Sequence, residues 1–202
     1  MTRRLKIPVP FQKNRHGHYV IPIVGKALNG CKEYDLLSRL GTVGDGATTV
    51  LACHEQGTGR NGYDEDHILE EGKWYWVALI PASDGRYLQF HDEERLRHFG
   101  YARPRAGIMP RLMETLPMKL MEKLGIFTLI GLHVPILNPK HSYEKDLLSL
   151  NRNEGFPWME YGYLEAYADH TLGQVMMLHY QGTFLSGADC HFAVIDSVGE
   201  SV

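Results

Sequence analysis

The segment 73–80 (KWYWVALI) constrains the fold more than any other stretch of this 202-residue chain. It joins three aromatic residues to β-branched and other apolar ones, and Pro81 follows it, a pattern typical of a strand that ends at the proline. The turn sequence ASDG at 82–85 then leads into a second strand-like segment, 86–90. Because Asp-Gly supplies the positive φ angles that a tight hairpin turn needs, the two segments predict a hairpin.

Other segments add further strands and a few helices. Apolar runs predict strands at 19–24, 48–53, 126–136, 175–180 and 191–195, and start and stop signals predict helices at 32–40, 92–99, 143–150 and within 111–124. They follow one another without a repeating βαβ rhythm. The sequence therefore predicts an α+β fold with a mostly antiparallel sheet and a few short helices. We expect one domain over residues 1–202, with 100–110 as a long surface loop or a subdomain joint.

Composition excludes several function classes. A formal charge of −3 offers no electrostatic footprint for nucleic acid. The longest apolar run, 125–137, is interrupted by His133 and Pro135 and is shorter than the roughly 20 residues of a membrane span. Three scattered cysteines make neither a complete disulfide set nor a structural zinc site, which favours a reducing compartment. We expect a cytoplasmic protein that does not bind membranes, and the sequence carries no strong signal for nucleic-acid binding.

Six glycines surround the apolar run 48–53 within the segment 40–62. Residues 43–50 (VGDGATTV) resemble the phosphate-binding loop of chaperonins, with Ala47 where that motif has a threonine. The resemblance implies that backbone amides wrap a phosphate and that the aspartate serves a metal, with the site residues Gly44, Asp45, Gly46, Thr48 and Thr49. A tight turn leading into a strand is the alternative interpretation.

Cys31 and His191 form a second candidate site. Cys31 opens the helix predicted at 32–40, where backbone amides stabilise a thiolate, and His191 opens a strand. This arrangement resembles that of papain-like cysteine hydrolases, which implies Cys31 as nucleophile and His191 as base for an amide bond. The alternative is a small buried apolar cysteine.

The pair His16 and His18 is a third candidate, because residues two apart on a strand share a face and can both bind one metal ion. A complete site needs further ligands, which the segment 63–67 offers as Asp64, Asp66 and His67. The alternative is a set of exposed loop residues. Beyond this metal hypothesis the sequence identifies no cofactor.

Methionines and leucines recur between 109 and 124, and Pro117 breaks any continuous helix there. Because methionine suits adaptable interfaces, we expect an apolar interaction surface formed by Met109, Met113, Leu116, Leu120 and Met121. The alternative is that this face packs on the sheet. The favoured hypothesis is a non-catalytic binding or assembly protein whose partner is a second copy or another protein. A cysteine hydrolase is the first alternative, and a metal-dependent enzyme using His16 and His18 is the second.

Overall fold

The computed structural model describes residues 12–52, 62–82, 93–134, 136–137, 161–180 and 190–196. Within these ranges the chain forms one mixed sheet of ten strands and five short helices. The α+β class predicted from the sequence is therefore confirmed. The strand and the helix predicted at 86–90 and 143–150 lie outside the described residues, and so does the turn that would close the hairpin after Pro81.

The strands are, in chain order, β1 (Gln12–Lys13), β2 (Tyr19–Val24), β3 (Thr42–Val43), β4 (Trp74–Pro81), β5 (Tyr101–Ala102), β6 (Thr128–Gly131), β7 (Ile136–Leu137), β8 (Tyr161–Asp169), β9 (Gly173–Tyr180) and β10 (Cys190–Asp196). Hydrogen-bonded neighbours follow the order β1-β2-β4-β10-β6-β8-β9-β3, with β5 beside β10 and β7 beside β8. The β10–β6 and β3–β9 pairs are parallel, and the other described pairs are antiparallel.

The strands predicted at 19–24, 73–80, 175–180 and 191–195 are confirmed as β2, β4, β9 and β10, with ends that differ by at most two residues. The long strand predicted at 126–136 is wrong, because β6 ends at Gly131 and β7 begins only at Ile136. The chain bends between them at His133, whose ring contacts the Val134 carbonyl and the Leu164 amide.

The helices are α1 (Gly30–Leu40), α2 (Asp45–Ala52), α3 (Glu93–His98), α4 (Ile108–Thr115) and α5 (Met118–Lys123), and a 3₁₀ turn covers Glu65–His67. Side chains from α1, α2, α4 and α5 join the larger core cluster on one face of the sheet. A smaller cluster on the other face includes Leu96 of α3 and Tyr101 of β5. Side chains alternate along β4, so Tyr75 and Val77 enter the larger core while Ala78 enters the smaller one.

Helix α1 begins at Gly30, two residues before the helix predicted at 32–40, and it is capped at both ends. The Asn29 side chain accepts a hydrogen bond from the Lys32 amide at 3.1 Å, and the Gly41 amide donates to the Leu37 carbonyl at 2.9 Å at the other end. Positions four apart on a helix share a face, and the buried face of α1 carries Glu33 together with Leu37. The carboxyl group of Glu33 therefore lies in the core.

The strand predicted at 48–53 is wrong, because these residues belong largely to α2. The Thr48 amide donates to the Gly44 carbonyl at 2.8 Å, which is the i to i−4 bond of a helix. Asp45 stands in the first turn, where a negative charge is favourable. Short apolar runs do not distinguish a buried strand from a buried helix, and the β-branched residues here favoured the wrong choice.

The segment 108–123 forms two helices that separate at Leu116 and Pro117, as the proline predicts. The expected interaction surface is not exposed. Leu120 is partly buried, and the core takes up the other four members of the set, Met109, Met113, Leu116 and Met121. This corrects the expectation of an exposed Met/Leu face: the side chains pack beneath the sheet, which was the alternative interpretation.

We expect Met113→Glu combined with Met121→Glu to unfold the protein. The two side chains are 3% and 1% exposed, and two buried carboxylates cost several kcal/mol each against a usual net stability of roughly 5–15 kcal/mol. Circular dichroism and urea unfolding measure the loss. Met177→Glu is the matched control, since Met177 is 36% exposed and its variant should still unfold cooperatively. A folded double variant with an unchanged midpoint would contradict this packing.

Candidate functional site

Cys31 and His191 lie on elements that the topology separates. Cys31 is the second residue of α1 and half-buried, which agrees with a thiol at a helix start. His191 pairs with Pro81, the last residue of β4. Strand β2, which leads toward α1, ends at Val24, and Val24 pairs with Trp74, the first residue of β4. Those two ends of β4 are seven residues, or about 23 Å, apart. A thiol–imidazole pair needs hydrogen-bond contact, so the register does not favour the papain-like arrangement, which stays a prediction.

His16 and His18 do lie side by side, with ring centroids 6.2 Å apart. His18 Nδ1 is 2.7 Å from the Tyr101 hydroxyl, and His16 Nε2 is 3.0 Å from the Phe99 carbonyl. Asn14 donates to the same Tyr101 hydroxyl at 2.9 Å. The histidine pair therefore belongs to a hydrogen-bonded network against the smaller core cluster.

Asp64, Asp66 and His67 lie on the other face of the sheet, beside the larger core cluster that contains Tyr63. Asp64 accepts a hydrogen bond from the Asp66 amide at 3.1 Å and starts the 3₁₀ turn. Among the described residues, no group of three or more His, Cys, Asp or Glu side chains is placed to hold a metal ion. The five expected ligands thus form no common site within the described residues, and the metal hypothesis stays a prediction that this geometry does not favour.

The residues expected to bind phosphate surround the start of α2: Gly44, Asp45, Gly46, Thr48 and Thr49. The two threonine hydroxyls donate to backbone carbonyls, at 3.5 Å to Val43 and at 2.9 Å to Asp45. A Cβ on Gly44 would stand 2.1 Å from the Met177 sulfur, so close packing against β9 accounts for this glycine. Phosphate binding stays a prediction that these contacts do not favour.

A different set of polar side chains converges in the larger core. Glu33 of α1 is 0% exposed, and its carboxylate oxygen Oε2 accepts a hydrogen bond from Nη2 of Arg111 on α4, which is 2% exposed. Burial raises the pKa of the Glu33 carboxyl to about 7, although the Arg111 guanidinium acts in the opposite direction. The pair therefore places a carboxyl group that titrates near neutral pH inside the core.

Two further charges connect this pair to the surface. Arg111 Nη1 lies 2.8 Å from Glu114 Oε2, and Lys26 Nζ donates to both carboxylate oxygens of Glu114, at 2.8 and 3.0 Å. Lys26 and Glu114 are partly exposed. The four groups alternate in sign from the core outward, so each buried charge has an opposite charge beside it.

Tyr63 lies close to the ion pair and is 3% exposed. Burial, followed by the negative charge of Glu33, raises the pKa of the Tyr63 hydroxyl above its usual value, while Arg111 acts in the opposite direction. The group is therefore a neutral phenol near pH 7. A Cβ on Gly107, the residue before α4, would stand 2.8 Å from the Tyr63 hydroxyl oxygen, so the close approach of the tyrosine accounts for this glycine.

Two histidines continue from Tyr63 with successive ring centroids 5.7 and 6.0 Å apart: His67 and then His133. Burial is the main cause that lowers the pKa of His67. His133 is fully buried, and burial lowers its pKa to about 3. Because the Leu164 amide donates to His133 Nε2, the ring carries its proton on Nδ1 and donates it to the Val134 carbonyl. His133 therefore has a structural role.

We call Glu33, Tyr63, His67 and Arg111 the polar cluster. Five of its buried atoms have no hydrogen-bond partner among the residues that the structure describes: Glu33 Oε1, Tyr63 Oη, His67 Nδ1, Arg111 Nε and Arg111 Nη1, although the last lies within ion-pair distance of Glu114. A buried polar atom without a partner costs about 1–3 kcal/mol, and native proteins contain few of them. Several such atoms in one place mark a candidate site.

Sequence reasoning did not select three of these residues: Glu33, Tyr63 and Arg111. A signal was present, since Glu33 lies on the same helical face as Leu37 and Arg111 stands between apolar neighbours in 108–113. A charged residue within an apolar stripe is informative because such residues are rarely buried without a partner. The pairing of Glu33 with Arg111 could not be predicted from the sequence, because the two residues are 78 positions apart.

The sheet also carries an exposed apolar strip. Trp74 is 58% exposed and pairs with Val24, which is 39% exposed. Trp76 and Pro22, two residues further along the same strands, form the next pair and are half-buried. Because side chains alternate along a strand, all four lie on the face opposite the larger core. We call these four residues the tryptophan face.

Comparison with protein-family models, with curated proteins and with solved structures finds no match for this chain. Across the part of the chain that the structure describes, no helix is long and apolar enough to cross a membrane. A functional argument therefore has to start from the polar cluster and the tryptophan face themselves.

We expect Tyr63→Phe to leave the free energy of unfolding unchanged or to raise it by up to about 1 kcal/mol, because the hydroxyl that it removes is buried without a described partner. Tyr75→Phe is the matched control. The Tyr75 hydroxyl accepts a hydrogen bond from the Glu70 amide at 3.1 Å, so its removal should lower the free energy by about 1 kcal/mol. Urea unfolding measures both. A loss at Tyr63 as large as at Tyr75 would contradict the unpartnered hydroxyl.

Proposed function

We propose that the protein is a non-catalytic binding or assembly protein and that its contact surface is the tryptophan face. The exposure of Trp74 beside Val24 carries this proposal. Contiguous exposed apolar surface usually marks an interaction site, and tryptophan is enriched among the residues that dominate binding energy. The proposal keeps the function expected from the sequence but moves the surface away from the Met/Leu segment, whose side chains belong to the core.

A second copy of this chain is the proposed partner. Most soluble oligomers are symmetric, and a two-fold contact requires a patch that complements itself. The neighbouring pairs Trp74–Val24 and Trp76–Pro22 give this face a contiguous apolar centre. An apolar patch of this kind can pack against the same patch of a second copy.

We further propose that the chain forms a single domain with a mostly antiparallel sheet and that it acts in the cytoplasm. One core cluster runs from Ile21 to Ile195, which supports a single folding unit. The parallel pairs within the described residues are only β10–β6 and β3–β9, which supports the antiparallel character. The three scattered cysteines support a reducing compartment.

Trp74→Glu is expected to convert a dimer to a monomer in sedimentation velocity and to leave circular dichroism unchanged, because the side chain contributes to contact rather than to the core. Leu172→Glu is the matched control: Leu172 is 53% exposed in the turn between β8 and β9, away from this face, and its variant should remain dimeric. A wild-type protein that stays monomeric at micromolar concentration overturns self-assembly. So does a Trp74→Glu variant that remains dimeric.

A further inference from the structure

The Glu33 carboxyl group has few partners for a group that lies entirely in the core. Its Oε2 accepts a hydrogen bond from Arg111 Nη2, while its Oε1 has no hydrogen-bond partner in the described parts of the chain. The side chain is 0% exposed, so bulk water does not solvate it. A carboxylate has two oxygens that can each accept more than one hydrogen bond. The ionised form of Glu33 is therefore poorly stabilised where it lies.

Arg111 does not depend on Glu33 alone for its charge balance. It also forms an ion pair with Glu114, whose carboxylate in turn binds Lys26 near the surface. When Glu33 takes up a proton, its remaining carbonyl oxygen can still accept from Arg111, and Glu114 still faces the guanidinium. The protonated form thus leaves no buried charge without an opposite charge beside it. The network tolerates Glu33 in either state.

The other elements packed against α1 add little charge around Glu33. Tyr63 faces it as a neutral phenol, from the segment before the 3₁₀ turn. Helix α2 also packs against α1, and its charged residue, Asp45, is exposed. On α1 itself the remaining charged residues are exposed: Lys32, Asp35 and Arg39.

The balance between burial and charge favours the protonated form. Arg111 and Lys26 favour the carboxylate, and Glu114 opposes it. Burial is the largest influence and raises the pKa of the Glu33 carboxyl from its usual value of 4.5 to about 7. Glu33 therefore exchanges its proton with water close to neutral pH.

We propose that Glu33 is an internal proton-binding group that couples the stability of the contact between α1 and α4 to pH. Because the folded protein holds this proton more tightly than the unfolded chain does, the stability that it contributes is fully present below the pKa of the unfolded chain. That stability is lost as the pH rises through about 7. The contact between the helices is thus most stable in mildly acidic solution. This device does not rest on the tryptophan face.

The side-chain carboxyl carbon of Glu33, observed by ¹³C NMR in the full-length protein, reports the proton directly. We expect its resonance to titrate with a midpoint at about pH 7. A carboxyl carbon that does not titrate between about pH 5.5 and 8.5 would overturn the proposal, because Glu33 would then stay in one state throughout that range. This measurement needs no variant.

Urea unfolding of Glu33→Gln at about pH 5 and about pH 8 tests the effect on stability. The glutamine keeps an oxygen for Arg111 but cannot ionise. The unfolding equilibrium constant of the wild type, divided by that of the variant, should rise at least about tenfold between the two pH values. Glu70→Gln is the matched control, since its exposed carboxylate binds Lys73 on the surface, and the same ratio should change by less than about twofold.

A ratio for Glu33→Gln that stays constant between the two pH values overturns the proposal, and so does a change as large in Glu70→Gln. If Glu33→Gln does not fold, the carboxyl titration in the wild type decides by itself.

Discussion

A carboxyl group and a guanidinium meet inside the hydrophobic core, and the arrangement of the helical layer depends on that contact. Glu33 and Arg111 bring α1 and α4 together between apolar residues such as Leu37 and Leu112. Each ion alone would cost several kcal/mol to bury. If either helix moved away, the charge on the remaining helix would be buried without its partner and would carry that cost. The contact is thus a constraint on geometry more than a source of net stability.

The same constraint explains the polar groups around the pair. Glu114 and Lys26 extend the alternating charges to the surface, which lets Arg111 satisfy two carboxylates at once. Tyr63 lies within electrostatic reach of Glu33, and Gly107 lets the tyrosine approach the start of α4. Burying any one of these polar groups alone in an apolar core would cost free energy. Their concentration in one place is what distinguishes the polar cluster from an ordinary buried ion pair.

Local sequence signals predicted much of the fold. The aromatic and β-branched run of β4 and the break at Pro117 depend on neighbouring residues, and both are confirmed. The failures occurred where local patterns are ambiguous or incomplete. The run 48–53 suits a strand or a helix equally until the Gly44 carbonyl is seen to accept from Thr48. The prediction of a helical segment within 111–124, broken at Pro117, is met in part, since α4 already begins at Ile108. Whether the Met/Leu stripe is buried or exposed could not be predicted, because burial and interface use produce the same pattern.

The polar cluster could not be predicted from the sequence, for a different reason. Its members come from three segments, and only the folded chain brings Glu33, Tyr63 and Arg111 together. The histidines and the cysteine of the sequence-based site hypotheses carry reactive groups, but the spacing of residues along the chain does not show whether they meet in one site. Residues that look out of place in an apolar stripe were the more useful signal here.

A double-mutant cycle on Glu33→Leu and Arg111→Met, measured by urea unfolding, tests the dependence of the helical layer on this contact most directly. Each single change leaves one buried charge without its partner and should lower the free energy of unfolding by about 3–5 kcal/mol, whereas the double change removes both charges and should cost far less than the sum. A coupling energy of at least about 2 kcal/mol is the predicted result. Additive losses, or single variants as stable as the wild type, would show that α1 and α4 are held together by apolar packing alone.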